Sequence, residues 1–470
     1  LDLKSKSLYE GESPDFLLDL ISKKTAKYDF SEVYLSSGIS SAFDIHNGIF
    51  DGNFSSSSKG ARIRIMENGL FYNMSTNDLS KSSLMSAISK IKGMPKGSTK
   101  LSSEKTVKGK YRVTPKILDE REASKLAYDL DYYLKGYKEV IYREVSLGYG
   151  EEETLFENSE GSSIMSYYPS AGLSIYLLIK GKKSTRERIL EFGGVGGLEV
   201  LDYERITKRI SEEIKGLKAV ADNGASLSDA KIKSIKNVVI SPEISGIAVH
   251  ESIGHPNESD RVFGRELAQA GSSYINKDNL GMRIGSDSVN IFDYPSIKGT
   301  SGFYYYDDEG VKAAKKHIIK NGMQNELLLN REYAGMLKRK SNGSARSSSY
   351  DAEPLVRMSN TYLGAGDSSF EELITEAKDG IYVKSFNGWN IDDTRSFSMY
   401  QGNEAYLIKK GEISSPILNY RLEKGTLDLW KSVSLLSKKV ELFNGECGKG
   451  EPLQGVPVTM GGPYALLQFR

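Results

Sequence analysis

Two of the chain's four histidines fall within the hexapeptide His250-Glu251-Ser252-Ile253-Gly254-His255, the stretch that most restricts the local fold. A histidine followed at once by glutamate, with a second histidine close behind, is the composition of a metal-hydrolase helix. Two imidazoles hold the ion and the carboxylate activates its water. The spacing is one residue longer than in the common H-E-x-x-H. On a regular helix of about 3.6 residues per turn, positions i and i+5 lie about 140° apart, against about 40° for i and i+4. A straight helix therefore splays the two rings too widely to share one ion. Gly254 and Pro256 flank the second histidine. Glycine permits backbone angles that other residues avoid, and proline disfavours helical geometry at His255 before it. The helix is expected to break or widen there and swing His255 back towards His250. Ser241-Pro242-Glu243 reads as its start, with serine as N-cap, proline in the first turn and an acid near the positive end. Ile244, Ile247 and Ala248 recur at helical spacing, so the helix spans about residues 242–254. Taken alone, the hexapeptide is also compatible with two histidines that merely pack or face solvent.

Length and charge bound the setting. A chain of 470 residues accommodates two or three domains, and 63 basic against 62 acidic residues leave a net charge of +1. No strongly basic face is expected, so neither nucleic acid nor an anionic membrane is predicted as a partner. No apolar run approaches the roughly 18 residues needed to span a bilayer, and Leu1 to Glu10 lacks the apolar core of a signal peptide. The single cysteine, Cys447, excludes an intrachain disulfide framework and suits a reducing cytoplasm.

The periodicities predict an α+β fold: an N-terminal mixed α/β region with antiparallel sheets and helices, then a C-terminal β-rich domain carrying the metal-binding helix. Ser13-Pro14-Asp15 opens a helix, and residues 28–74 read as an antiparallel meander of short strands whose turns are marked by Gly, Asn and Ser. His46 sits at a strand end. A helix over 77–93 closes the first subdomain, 1–93, and a Gly/Lys/Ser/Thr-rich linker follows over 94–110. The second subdomain, 111–225, has helices over 117–136 and 201–218 around short strands at 138–148, 152–157, 162–168, 172–180 and 184–192. The run Gly193-Gly194-Val195-Gly196-Gly197 lacks the βαβ context of a phosphate loop and reads as a flexible connector. The third region, 226–470, adds β-like runs at 287–293, 299–307, 325–330, 380–385 and 403–409. Asp307-Asp308-Glu309-Gly310 lacks the alternation of a calcium loop and reads as a turn whose acids are solvated or paired internally. His317 reads as a surface or edge residue, and Cys447, among glycines, as part of a tight turn.

Two histidines leave a catalytic zinc one protein ligand short, with a fourth position for water. His46, His317, a carboxylate and Cys447 are candidates; Cys447, a soft donor in the same domain, is the best of them.

Several motifs together carry a resemblance. HESIGH, then GTSGFYYYDDEG at 299–310, RMSNTYLG at 357–364 and CGKGEPLQGVPVTMGGP at 447–463 are similar in order and content to the TldD/PmbA (TldE) family. The NG–IFDGN–GARIR pattern extends the similarity to the N-terminal region. The resemblance implies a TldD-like zinc metallopeptidase with one zinc per chain, held by His250, His255 and Cys447, with Glu251 activating a zinc-bound water. It implies small or unfolded peptides as substrates, cleaved inside the chamber of a dimer. The partner would be an identical copy or a TldE-like sister subunit, which lacks the metal site. One departure stands out: where the family often continues with H-G-L-E-G-D, this chain has His255-Pro256-Asn257-Glu258-Ser259-Asp260. The competing reading is a non-catalytic scaffold or regulatory subunit in which a fully ligated zinc staples the domain.

Overall fold

The computed structural model describes residues 19, 22–91, 95–265 and 272–469. The helix expected from Ser13 falls almost wholly outside them. Residues 28–76 form three long strands, β1 (Phe30–His46), β2 (Ile49–Glu67) and β3 (Leu70–Thr76). The turns fall at Asn47-Gly48 and Asn68-Gly69, where both residues of each pair have positive φ. That is the two-residue hairpin geometry asparagine-glycine favours. The other expected turns are strand interior. Gly38 and Ser55–Ser58 lie in the paired β1–β2 ladder, because β1 is hydrogen-bonded on both sides and pairing overrides local turn preference.

Helix α1 (Lys81–Ser89), capped by Ser80, buries Leu84 and Ile88 against Leu35, Ile63 and Ile65. Next come β4 (Lys108–Arg112), α2 (Glu120–Lys135), β5 (Val140–Asn158), β6 (Ser163–Lys180), β7 (Thr185–Val195) and α3 (Tyr203–Asn223). The four short strands expected over 138–180 are two long ones, since β5 and β6 pair continuously through Gly148, Gly150 and Gly172. The first seven strands make a single sheet, β3-β2-β1-β5-β6-β4, with β7 beside β6. Strands from residues 1–93 and from 111–225 therefore share one ladder, joined where β1 pairs β5. α2 and α3 cover β5 to β7 with Ala127, Leu130, Ile210 and Ile214 against Val145, Leu147, Ile175 and Leu177.

The glycine run after β7 is not a flexible connector. Gly193 and Gly194 pair with Gly172 and Ala171, and a Cβ on Gly194 would stand 2.0 Å from the Gly299 carbonyl oxygen. These glycines permit close backbone contact. The stretch expected as a linker is likewise pinned within 95–110: the Ser102 N–H donates to the Arg331 carbonyl, and Arg331 returns hydrogen bonds to the Ser102 carbonyl.

In the C-terminal region, β8 (Asn237–Ile240) leads into the motif helix α4 (Pro242–Val249). Then come β9 (Ile291–Asp293), β10 (Lys316–Lys320), β11 (Asn360–Leu363), β12 (Gly380–Ile391), β13 (Phe397–Lys409), β14 (Glu441–Lys449), β15 (Gln454–Gly462) and β16 (Ala465–Gln468). One sheet runs β10-β9-β11-β15-β14; the other has β16-β8-β12-β13 at its centre. α4 leaves the second sheet and packs on the first. A Cβ on Gly246 would sit 2.8 Å from the Gly461 nitrogen, and the Ser245 hydroxyl donates to the Pro463 carbonyl at 2.9 Å. The runs expected at 299–307 and 325–330 are turns and irregular chain, with only isolated bridges at Tyr306 and Leu328. Glu309 accepts from Arg64 Nη1 at 3.0 Å and from the Arg331 N–H at 2.8 Å, and Asp307 accepts from the Val311 N–H at 2.8 Å. Asp308 accepts from the Ser347 N–H at 2.7 Å, so all three acids are bonded within the protein.

Among the described residues, no helix is long and apolar enough to cross a membrane.

Candidate metal centre

The Ser241 side chain caps α4 by accepting from the Ile244 N–H, and Glu243 in the first turn is gripped by Arg188 Nη2 at 2.7 Å and Arg209 Nη2 at 3.1 Å. Those arginines belong to β7 and α3, so the N-terminal sheet and its helix anchor the start of the motif helix.

From His250 to Gly254 the helix widens into a π-helical turn, closed by the His255 N–H donating to the His250 carbonyl. An i→i+5 hydrogen bond adds a residue to the turn and sets positions i and i+5 one above the other. The two imidazole centroids lie 4.9 Å apart, with planes at 78°. Widening, not breaking, solves the five-residue spacing. His255 keeps helical angles (φ −56°, ψ −45°) although Pro256 follows, and residues 255–257 tighten into a 3₁₀ turn. Gly254 is also helical (φ −59°), so conformational freedom is not its role. A Cβ there would fall 1.8 Å from the Met358 sulfur. Gly254→Ala is therefore expected to destabilise the protein by about 1–3 kcal/mol through overpacking. A denaturation midpoint unchanged from wild type would refute this.

Cys447 lies in the interior of β14, paired with Val456 of β15, and not in a tight turn. The glycines around it are accommodated by strand pairing, and the period-two alternation turns Cys447 and Lys449 to the same buried face. Arg357, fully buried, donates to the carbonyl oxygens of Cys447 and of Gln454, holding the β14–β15 hairpin. His250, His255 and Cys447 come together with their ligand atoms all within 4.8 Å of one another. His46 and His317 stay outside. His46 ends β1. His317 bonds Asn290 at 3.0 Å and stacks on Phe292.

The set suits a thiophilic cation. Cys447 Sγ and His255 Nε2 are 3.5 Å apart. A tetrahedral zinc with Zn–S near 2.3 Å and Zn–N near 2.05 Å would hold such a pair about 3.6 Å apart. His250 Nδ1 is buried and, among the described residues, has no hydrogen-bond partner. Burial opposes ionisation of the Cys447 thiol, but His255 and His250 outweigh it and hold the thiol well below its usual range. A thiolate between two imidazoles is ready to bind a metal.

Residues the sequence reading did not assign complete the centre. His255 Nδ1 lies 2.9 Å from Glu258 Oε2; with that carboxylate ionised, Nδ1 donates and Nε2 keeps its lone pair. Glu258 also accepts from Lys449 Nζ at 3.0 Å, and Lys449 reaches Asp260 at 2.6 Å. Burial raises the Glu258 carboxyl, but Lys449 and His255 more than reverse this and hold it well below the usual carboxylate range. The signal was present in Glu258 at three residues past His255, but a lone acid after a motif carries little without the fold. Glu258→Ala is expected to weaken zinc binding about 10–100-fold. Competition with a chromogenic chelator measures this, and wild-type affinity would sink the assignment.

Glu251 contributes no donor to this set. Its Oε1 accepts from Trp389 Nε1 at 3.2 Å and its Oε2 from Arg395 Nη1 at 2.6 Å. Both donors come from the hairpin formed by β12 and β13, 138 and 144 residues away along the chain.

Residues 234–469 match the family description "PmbA/TldA metallopeptidase C-terminal domain", and residues 31–94 match "PmbA/TldA metallopeptidase domain 1". The chain belongs to the PmbA/TldD family of metallopeptidases. It is 29% identical over 463 residues to a metalloprotease of Methanothermobacter thermautotrophicus, covering 97% of each chain. It is also 30% identical over 340 residues to the zinc metalloprotease TldD homolog of Saccharolobus solfataricus, covering 71% of this chain and 69% of that one. In structure, the PmbA/TldD chain is similar to TldE from Thermococcus kodakarensis, with a TM-score of 0.74 at 16% identity over 96% of this chain and 98% of that one. The mixed α+β architecture with a strand-rich C-terminal region is therefore the PmbA/TldD fold.

Proposed function

We propose that this chain is a zinc-dependent peptidase of the TldD type, with zinc held by His250, His255 and Cys447 and with Glu251 as general base. The observation that carries the reading is the convergence of three buried soft and borderline donors, one of which, His250, directly precedes Glu251 in the π-helical turn. No fourth donor joins them among the described residues. A structural zinc closes all four positions, whereas a catalytic one keeps a place open, so the three-donor set favours the enzyme over the scaffold. The zinc, when bound, acts as a Lewis acid that polarises the scissile carbonyl and acidifies water.

The remaining chemistry belongs to the chain. Glu251 takes a proton from the attacking water and later delivers it to the departing amine nitrogen. Trp389 and Arg395 fix the plane of its carboxylate, limiting the side-chain freedom that would otherwise have to be lost at each turnover. Glu258, backed by Lys449, orients His255. The substrates in this reading are small or unfolded peptides, cleaved in the chamber of a dimer. The second subunit is an identical chain or a TldE-like sister, and the reducing cytoplasm keeps Cys447 from oxidation.

A pool of unstructured peptides incubated with the zinc-loaded protein, the chelator-stripped protein and the stripped protein resupplied with zinc tests this. Cleavage, read by mass spectrometry, is expected to vanish on stripping and return with zinc. Stoichiometric zinc without cleavage, in the presence or absence of a TldE-like partner, would instead favour the scaffold.

A further inference from the structure

The mechanism above leaves unassigned the donor for the carbonyl oxygen that becomes anionic during attack. Among the described cations around the site, most are already engaged. Lys449 is bound to Glu258, Asp260 and the Val356 carbonyl; Arg357 to the carbonyls of Cys447 and Gln454; Arg261 to Glu258. Arg395 differs. Its guanidinium makes one hydrogen bond among the described residues, from Nη1 to Glu251 Oε2. Among the described residues Nε is sealed from solvent without a partner, and Nη2, which is not among the sealed unpartnered atoms, makes no hydrogen bond. The arginine therefore presents an unused N–H pair beside the carboxylate that serves as base.

The backbone presets this position. Arg395 has φ +63°, in the left-handed region that a long side chain seldom adopts. The surrounding hairpin loop is tied down by Asp392, whose carboxylate accepts from the Phe397 N–H at 2.7 Å and the Ser396 hydroxyl at 2.9 Å. The Thr426 hydroxyl donates to the Arg395 carbonyl at 2.7 Å. Several independent bonds hold this conformation and so fix where the Arg395 side chain leaves the loop. Beside it, Trp389 is 48% exposed, so this rim of the site is open to a ligand.

Building on the peptidase reading, we infer that Arg395 is a second catalytic residue, donating from Nη2 to the scissile carbonyl oxygen as that oxygen becomes anionic. The water oxygen forms a bond to the carbonyl carbon while its proton passes to Glu251, and the carbonyl π pair moves onto the oxygen that Arg395 meets. On collapse that pair re-forms the carbonyl, the C–N bond breaks, and Glu251 returns the proton to the amine. In this inference the carbonyl oxygen attacked by the water that Glu251 activates lies beside the guanidinium bound to that same carboxylate. A preset donor aimed at developing charge is the arrangement that contributes most to such reactions.

The test uses the zinc-loaded full chain and the peptide of a casein digest that it cleaves best, together with the same peptide carrying a phosphinic group in place of the scissile amide. Arg395→Ala is expected to lower kcat by about 10²–10³-fold with KM changed little. Affinity for the phosphinic peptide should fall in the same proportion, zinc content should hold, and added guanidinium should restore part of kcat. Arg395→Lys, which keeps the charge and fewer donors, should fall between. Phosphinic affinity equal to wild type would overturn the inference even if kcat fell, because Arg395 would then only position Glu251. Zinc-loaded wild type that cleaves no peptide would instead overturn the peptidase reading on which it rests.

Discussion

Glu251→Ala is expected to abolish peptide turnover while the protein keeps its zinc. The separation follows from where the groups point. His250 and His255 are brought together by the π-helical turn, and Cys447 meets them from β14. Glu251 lies beside His250 in sequence, yet both its carboxylate oxygens are turned to Trp389 and Arg395. Removing the carboxylate takes no donor from the set of three and leaves the helix geometry intact. It does remove the group proposed to accept the water's proton, a contribution of about 10²–10⁴-fold to rate. Wild type and variant, compared at equal metal content on the same peptide pool, should differ in every product. A variant that loses its zinc would remove Glu251 as base. Equal cleavage by both would point to a contaminating protease.

The second large effect is expected from Cys447→Ser, which should strip the site of metal. Serine preserves the strand, the pairing with Val456 and the Arg357 clamp on the main chain, all of which depend on backbone. What it loses is the soft anionic donor. The two histidines favour a thiolate at this position, whereas a serine hydroxyl stays protonated and binds zinc weakly. The loss should exceed the roughly 10–100-fold that removal of an outer partner such as Glu258 produces. Metal analysis after dialysis measures it directly. Unchanged zinc would mean that another residue supplies the third ligand.

The outcome at Cys447 also shows where sequence reading reaches its end. Its identity as a donor candidate came from chemistry alone, since one cysteine in the chain is easy to single out. Its place came out differently, in a strand instead of a turn, because glycines on both sides suggest a turn only until a partner strand is known. The same misreading divided β5 and β6 at Gly148, Gly150 and Gly172 and made a connector of the glycine run that packs against Gly299. In each case local preference, which amounts to a fraction of a kcal/mol up to about 1 kcal/mol per residue, yielded to pairing along a whole ladder.

Helices were more legible. Residues 117–136 and 201–218 formed nearly as their periodicity implies, as 120–135 and 203–223. An amphipathic stripe and a capping acid lie within one segment and need no distant partner to be read. The start of the motif helix at Ser241 was legible for the same reason.

By itself, then, the sequence determined the pairing of His250 with Glu251, the need for a local distortion before His255, and the two hairpin turns at Asn-Gly. All of these act over a few residues of chain. Only the tertiary structure decided that the distortion is a π turn and that Gly254 is required by Met358. It alone brought Lys449, Trp389 and Arg395 to the site. Those contacts join elements up to 191 residues apart, and nothing in local spacing encodes which distant side chain the packed sheets will bring within hydrogen-bond reach.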